Sequence, residues 1–361
     1  MNDLYLGLMS GTSVDALDVA LCRFKPEIEI VATADYAFPV ELRQRINRAC
    51  LDEPIKLDEF LLLERDYSQF VASSVTSFLT EHTLEPDSIR AIGFHGQTLR
   101  HRPDIACSLQ MGNPNLLAER SRICVVADFR RRDLAAGGEG APLVPAFHKY
   151  LVESLDRPVG ILNLGGIANL SLFNESGGVL GFDTGPANTL MDQWIEIHRG
   201  VGYDERGQWA ASGHLNEPLL KAMLAEPYFQ RSAPKSTGRE LFNLTWLRTI
   251  LEQQEPLSPA DVQRTLLELT AQSLTQSIEQ PLNQLIICGG GAENSLLMER
   301  IRLLLPNTKV HTSDELGWPA SHMEAVAFAW LAKRHLECQA GNLPEATGAV
   351  GPRILGAHYP A

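Results

Sequence analysis

Two stretches of the chain repeat one pattern of apolar and polar positions. Near the start, the apolar run Leu4–Met9 breaks at "SGTSVD", resumes around Ala16–Phe24 and recurs over Glu29–Phe38, which predicts three strands with a small-residue turn after the first. The second stretch, "VGILNLGGIANLSLF" (Val159–Phe173), has the same order: short apolar strand, glycine turn, returning strand. Each is followed by a third apolar stretch and by helical spacing. After the first, helices are predicted near Pro39–Leu51 and across Leu57–Thr80, where Phe60, Leu61, Tyr67, Phe70 and Val71 recur at helical intervals. Further on, "IRAIGFHGQT" reads as a buried strand ending in a Gly-rich polar turn. "QLIICGGGAENSLLMERIRLLL" reads as strand, triple glycine and helix, with Leu296, Leu297, Ile301 and Leu304 on the apolar side, and "MEAVAFAWLAKRHL" as a late buried helix.

This repetition predicts an internally duplicated α/β protein of two similar sheet lobes, with the two turns facing each other across a cleft. At 361 residues the chain is long for a single core. The Gly-rich, polar stretch "ADFRRRDLAAGGEGAPLV" puts the boundary near Ala127–Val144. Residues 1–130 then form an N-terminal lobe, on which the C-terminal segment is free to pack back, and residues 131–361 a C-terminal lobe.

Composition narrows the classes. With 44% apolar and 21% charged residues the chain is a soluble globular type. A formal charge of −13 argues against nucleic acid, and Arg130, Arg131 and Arg132 do not outweigh it. No apolar run has the length of a membrane span. "MNDLYLGLMSG" lacks the basic and long apolar regions of a signal peptide. The six cysteines contain no C-x-x-C pair, which predicts reduced, mostly buried thiols in a cytoplasmic protein.

Several stretches carry chemistry, each beside a plainer reading. In "GLMSGTSVDALD", Ser10, Gly11, Thr12 and Ser13 can offer N–H groups and hydroxyls to phosphate oxygens, and Asp15 or Asp18 can orient a hydrated Mg²⁺; the plainer reading is a decorated hairpin. No G-x-x-x-x-G-K-[ST] is present, so the cradle is not a P-loop. In "GFDTGPANTLMDQW", Asp183 ends an apolar strand, as a general base or as an Asx-turn or helix cap. One D-[ST]-G among long helical patterns does not make an aspartic protease, which needs two carboxyls sharing a proton. "CGGGAENS" lets a flat ring or a phosphate lie close to backbone, or simply packs strand on helix. Gln97 and Thr98 suit sugar hydroxyls, and an arginine suits a carboxylate. His95 and His148 read as structural hydrogen-bonders, and no H-x-x-x-H or H-E-x-x-H supports zinc. Glu324, in an apolar helix, needs a partner. Trp246, Trp318 and Trp330 read as core or packing.

Taken as a set, "GLMSGTSVDALD", "GFHGQT", "ADFRRRDLAAGGEGAPLVPAFH", "NLGGIANLS", "GFDTGPAN" and "CGGGAENSLL" resemble, in order and spacing, the anhydro-N-acetylmuramic acid kinases. These belong to the wider group of actin, heat-shock ATPases and sugar kinases. The resemblance implies two ribonuclease-H-like lobes with ATP in an interlobe cleft. It implies Ser10, Gly11, Thr12, Ser13, Val14, Asp15, Ala16, Leu17 and Asp18 as the first phosphate loop and Gly165 and Gly166 as the second, with Gly289, Gly290 and Gly291 by the adenosine. Asp183 becomes the catalytic base, and Gln97, Thr98, Arg130 or Arg131, and Glu324 the sugar-site candidates. Ala16 and Glu139 stand where the family pattern has Gly and Gln. The implied reaction, with ATP and Mg²⁺, opens 1,6-anhydro-N-acetylmuramic acid and phosphorylates O6 in cell-wall recycling. The implied assembly is a homodimer. An ordinary hydroxyl-sugar kinase and an actin-like, ATP-dependent conformational protein are the rival readings.

Overall fold

The computed structural model describes residues 3–11, 14–24, 28–51, 54–233, 235–238 and 241–361. The chain forms two compact units, unit 1 from residues 1–151 with 322–361, and unit 2 from residues 152–321. The division therefore falls after Leu151 rather than after residue 130, and the last forty residues lie in the N-terminal unit.

Unit 1 opens with β1 (Leu4–Met9), β2 (Ala16–Arg23), β3 (Glu29–Ala37), α1 (Val40–Cys50) and α2 (Leu57–Glu81). It continues with β4 (Ile89–Phe94), the hairpin β5 (Gln97–Arg102) and β6 (Cys107–Met111), α3 (Pro114–Ser121), β7 (Val125–Ala127), α4 (Phe129–Leu134) and α5 (Val144–Leu151). Unit 2 holds β8 (Val159–Leu164), β9 (Ile167–Phe173), β10 (Val179–Pro186) and α6 (Asn188–Arg199). After these come α7 (Gln208–Ala211), α8 (Glu217–Leu224), α9 (Leu244–Leu251), α10 (Pro259–Gln276), β11 (Gln284–Cys288), α11 (Ser295–Leu304) and β12 (Lys309–Thr312). The chain then returns to unit 1 as α12 (Met323–Leu336), α13 (Pro344–Thr347) and β13 (Ala357–Tyr359). The β5–β6 hairpin is absent from the sequence expectation, which ends the "GFHGQT" strand in a turn.

The duplication is present in the topology. Unit 1 orders its main sheet β13-β7-β4-β1-β2-β3, and unit 2 orders its sheet β10-β9-β8-β11-β12. In each, three antiparallel strands meander and two further parallel strands extend the sheet from the first of them, β4 pairing with β1 and β7 with β4, β11 pairing with β8 and β12 with β11. Only the edge strand β13, antiparallel to β7, is extra. The inner strands β1, β4 and β8 are buried almost throughout, so they read as continuous apolar runs instead of alternating ones. On one side of the first sheet, α2 buries Leu63, Tyr67, Val71, Val75 and Phe78, one stripe at helical spacing.

α12 explains why the C-terminal segment belongs to unit 1. Residues Ala325–Ala332 are all buried, and Trp330 packs on Phe147 and Tyr150 of α5 at ring separations of 5.8 and 6.0 Å. Its backbone lies against two glycines, Gly7 in β1 and Gly93 in β4. The thiols correct the composition reading: Cys22 and Cys288 are buried and Cys124 half-buried, but Cys50, Cys107 and Cys338 are exposed. Trp330 is core as expected, and the half-buried Trp246 packs on Phe242 at a ring separation of 5.3 Å.

A second tie fastens the C-terminal segment. The fully buried Asp133 of α4 accepts from Asn342 Nδ2 at 2.7 Å and Thr347 Oγ1 at 2.8 Å on Oδ1, and from Gly140 N at 2.8 Å on Oδ2. Asp133→Asn turns one acceptor into a donor facing donors. It is expected to cost about 1–3 kcal/mol, read as a lower denaturation midpoint of the full chain. An unchanged midpoint would show the tie to be energetically idle.

Candidate active site

In unit 1 the strand β1 ends at a turn closed by Val14 N donating to Gly11 O at 3.2 Å. Val14 is fully buried at φ +55°, a left-handed conformation that a β-branched residue adopts only when its surroundings impose it. Thr12 and Ser13 lie outside the described residues. The start of the turn is fixed from two other elements. Ser10 Oγ donates to Gln97 Oε1 at 2.8 Å and lies 3.1 Å from the Tyr67 hydroxyl, while Gln97 Nε2 donates to Gly11 O at 3.3 Å. Gln97 is fully buried, so its amide is engaged by the turn instead of being presented to a sugar hydroxyl. Thr98 Oγ1 accepts from Gln110 Nε2 at 3.1 Å.

Beyond the turn, Ala16 and Leu17 enter β2, with Leu17 fully buried, and Asp15 is exposed and paired with Arg43. Asp18 sits directly opposite Asp35 on β3. Burial, then the charges of Asp35, Glu324 and Asp15, push its carboxyl up to about 7. Asp35 Oδ1 in turn lies 3.0 Å from His322 Nε2. Burial also raises Glu324 and lowers Arg130, each shift opposed by the charge of the other. Arg130 is thus the positive charge that opposes the burial of Glu324. Arg130 donates to Gly140 O at 3.0 Å, and its Nη2 lies 3.0 Å from His95 Nε2. Burial first, and Arg130 second, hold His95 well below the usual imidazole range, so it is a neutral acceptor, the structural role expected of it. Burial likewise lowers His148, to about 3. Arg131 is separate from Arg130: it is exposed, 3.6 Å from Asp128, at a cavity of about 200 Å³ also lined by His95, Gly96 and Gln110.

In unit 2, β-sheet register assembles the candidate base. Asn163 of β8 pairs with Asn169 of β9, and Asn169 with Asp183 of β10, so the three side chains share one face in a row. A bulge at Thr184 interrupts the ladder just after Asp183. Asp183 Oδ1 accepts from Asn169 Nδ2 at 2.9 Å, and Oδ2 from Thr237 N at 3.0 Å. Its backbone is fixed as well, with its N–H donating to Lys235 O at 2.9 Å and its carbonyl accepting from the Tyr228 hydroxyl at 2.7 Å. Burial and the negative charge of Asp183 raise the Tyr228 phenol. Burial, then Arg231, lowers Lys235, whose Nζ points to the Tyr228 and Phe229 carbonyls at 3.4 Å.

The two glycine stretches of unit 2 meet in one corner. Gly165 O accepts from Asn188 N, and Gly166 O from Ala187 N and Thr189 N, at 3.0–3.1 Å, so the turn takes up the first donors of α6. Gly289, at φ +81°, has Asn163 Oδ1 at 2.3 Å and the Leu164 backbone at 2.9 Å from where a Cβ would stand. Gly291 is as close to Leu164, while around Gly290 nothing lies within 4 Å. Asn188 Nδ2 closes the corner by donating to Leu164 O at 2.9 Å. Asp183 and the glycines are candidates from the sequence. Sequence reasoning missed Asn163, Asn169, Asn188, Tyr228 and Thr237, although the two asparagines flanking "LGGIA" carry a signal in their symmetric placement.

Comparison with known proteins bears on the whole chain. The pattern of the family described as anhydro-N-acetylmuramic acid kinase matches residues 3–361. An anhydro-N-acetylmuramic acid kinase of Pseudomonas putida is 48% identical over 361 residues, covering 99% of both chains. One from Pasteurella multocida is 45% identical over 363 residues, covering 99% of this chain and 96% of the other. Among solved structures, component A of the Acidaminococcus fermentans (R)-2-hydroxyglutaryl-CoA dehydratase is a distant likeness, at 11% identity and a TM-score of 0.48, covering 90% of this chain and 96% of that one. By the end-to-end match of pattern and sequence, the chain belongs to the anhydro-N-acetylmuramic acid kinase family.

Proposed function

We propose that the protein is an ATP-dependent kinase that opens 1,6-anhydro-N-acetylmuramic acid and phosphorylates O6. In this sugar O6 is tied to C1, so there is no 6-hydroxyl to deprotonate. Asp183 instead takes a proton from a water whose oxygen bonds to C1. The C1–O6 bond breaks, and O6 bonds to the γ-phosphorus of ATP as ADP leaves. The products are N-acetylmuramic acid 6-phosphate and ADP. The observation that carries the reading is the Asp183 carboxylate, gripped on both oxygens by neutral donors at a strand end. Ionised carboxylates accept such bonds, and an ionised, oriented carboxylate is what a base requires.

The remaining roles follow residue by residue. The segment from Ser10 to Asp18 and the Gly165–Gly166 turn bind phosphate oxygens, with Gly289–Gly291 beside the adenosine. Arg130 and Glu324, with Arg131 and Thr98, face the sugar, and Gln97 acts through the first turn that it braces. Among the described residues no group of three His, Cys, Asp or Glu forms a metal site. Mg²⁺ keeps most of its waters and is held by one or two carboxylates and by phosphates. Asp18, opposite Asp35 in the sheet, would orient it, with Asp15. When bound, the ion neutralises phosphate charge in the transition state. A homodimer in the cytoplasm, acting in cell-wall recycling, completes the reading, on family membership.

The test is ADP release with and without 1,6-anhydro-N-acetylmuramic acid, run in ¹⁸O water. Sugar-dependent release is expected, with label at C1 of the product. Label in phosphate, or equal release without the sugar, would mean plain ATP hydrolysis.

A further inference from the structure

Asn169 takes no part in binding or chemistry as described above, yet it lies at the centre of the unit 2 row. We infer that Asn169 is a positioning residue that holds the Asp183 carboxylate ionised and aimed. The inference rests on the reading of Asp183 as the base. Three observations carry it. The ladder puts Asn169 directly opposite Asp183. Its amide nitrogen donates to Oδ1 at 2.9 Å, a bond that an ionised carboxylate accepts. The other described donor to the carboxylate, Thr237 N, is backbone, so among these two Asn169 is the one that substitution can alter.

The surroundings set what its removal does. Among the described residues, the titratable and charged groups around Asp183 include Tyr228, Lys235 and Arg231. Tyr228 donates to the Asp183 backbone carbonyl, Lys235 Nζ points to the Tyr228 and Phe229 carbonyls, and Arg231 lies over the Tyr228 ring at 5.8 Å. A hydrogen bond to the charged form favours that form, so losing the Asn169 donor raises the pH at which Asp183 ionises.

The experiment is the pH profile of kcat for the full chain with ATP, Mg²⁺ and 1,6-anhydro-N-acetylmuramic acid. In Asn169→Ala the acid limb is expected to move up by about one pH unit, with the KM for ATP within about twofold of wild type. Asn169→Asp keeps shape and therefore fold, sets a second carboxylate against Asp183, and is expected to move the limb further in the same direction. A residue that only braced the strands would lower stability and leave the limb in place. If both variants keep the wild-type limb, while Asp183→Asn is inactive, Asn169 is not a positioning residue. If Asp183→Asn itself turns over normally, the base assignment fails and this inference with it.

Discussion

Asp183→Asn is expected to lose at least ~10²-fold in turnover while binding ATP as the wild type does. The substitution is close to isosteric and removes the proton acceptor without emptying the site. Its structural cost can be foreseen. Asn169 Nδ2 and Thr237 N both donate to the carboxylate, one to each oxygen. An amide has one oxygen, so either orientation leaves one donor facing an NH₂ group. That mismatch costs about 1–3 kcal/mol of stability, too little to unfold a chain of this size but enough to see in a denaturation midpoint. Gly165 and Gly166, proposed for the second phosphate loop, bond to Ala187, Asn188 and Thr189 and not to the carboxylate, which is why nucleotide affinity serves as the internal control. Equilibrium ATP titration beside steady-state turnover separates the two effects. Turnover within tenfold of wild type, with affinity unchanged, would falsify the base assignment.

How far the site is legible in the sequence depends on whether a contact is local. The strands, the two small-residue turns and Asp183 at a strand end announce themselves through composition and period. The partners of those residues do not. A two-residue Gly165–Gly166 turn would pair Leu164 with Ile167 and set Asn169 opposite Leu162. The observed pairing, Leu164 with Ala168 and Asn163 with Asn169, needs a three-residue connection. Since a one-residue slip moves every side chain to the other face, the Asn163–Asn169–Asp183 row exists only in the observed register. Thr237 and Tyr228 reach Asp183 from loops 54 and 45 positions away, and no local pattern foretells that. Gln97 is the instructive case. A polar residue after a buried strand invites a ligand-binding role, but Ser10 and Gly11 engage its amide, and only tertiary structure reveals it. The domain boundary misleads for a related reason. Gly-rich polarity in residues 137–140 marks a loop, and Asp133 and the Thr347 carbonyl tie that loop into unit 1.

The other large effect is expected far from any titrating group, at Gly7. Gly→Ala inside a strand ordinarily stabilises by about 0.5–1 kcal/mol, because alanine has less chain entropy to lose. At Gly7 the sign is expected to reverse. A Cβ there would stand 1.8 Å from the Ala325 carbonyl oxygen and 2.8 Å from Ala329 N, and one at Gly93 would stand 2.0 Å from the Phe328 carbonyl oxygen. All these neighbours are α12 backbone, so no side-chain rotation relieves the overlap, and the whole helix must move outward by an ångström or so. Residues Ala325–Ala332 of that helix are buried, which leaves it little room to move. Overpacking commonly costs about 1–3 kcal/mol, and more where the backbone must shift. Gly7→Ala is therefore expected at or above the top of that range, and Gly7→Ala with Gly93→Ala to prevent stable folding. Gly202→Ala, with nothing within 4 Å of its Cβ position, is the control and is expected to be nearly neutral. A Gly7→Ala chain as stable as the Gly202→Ala control would mean that α12 does not lie on β1 as closely as described.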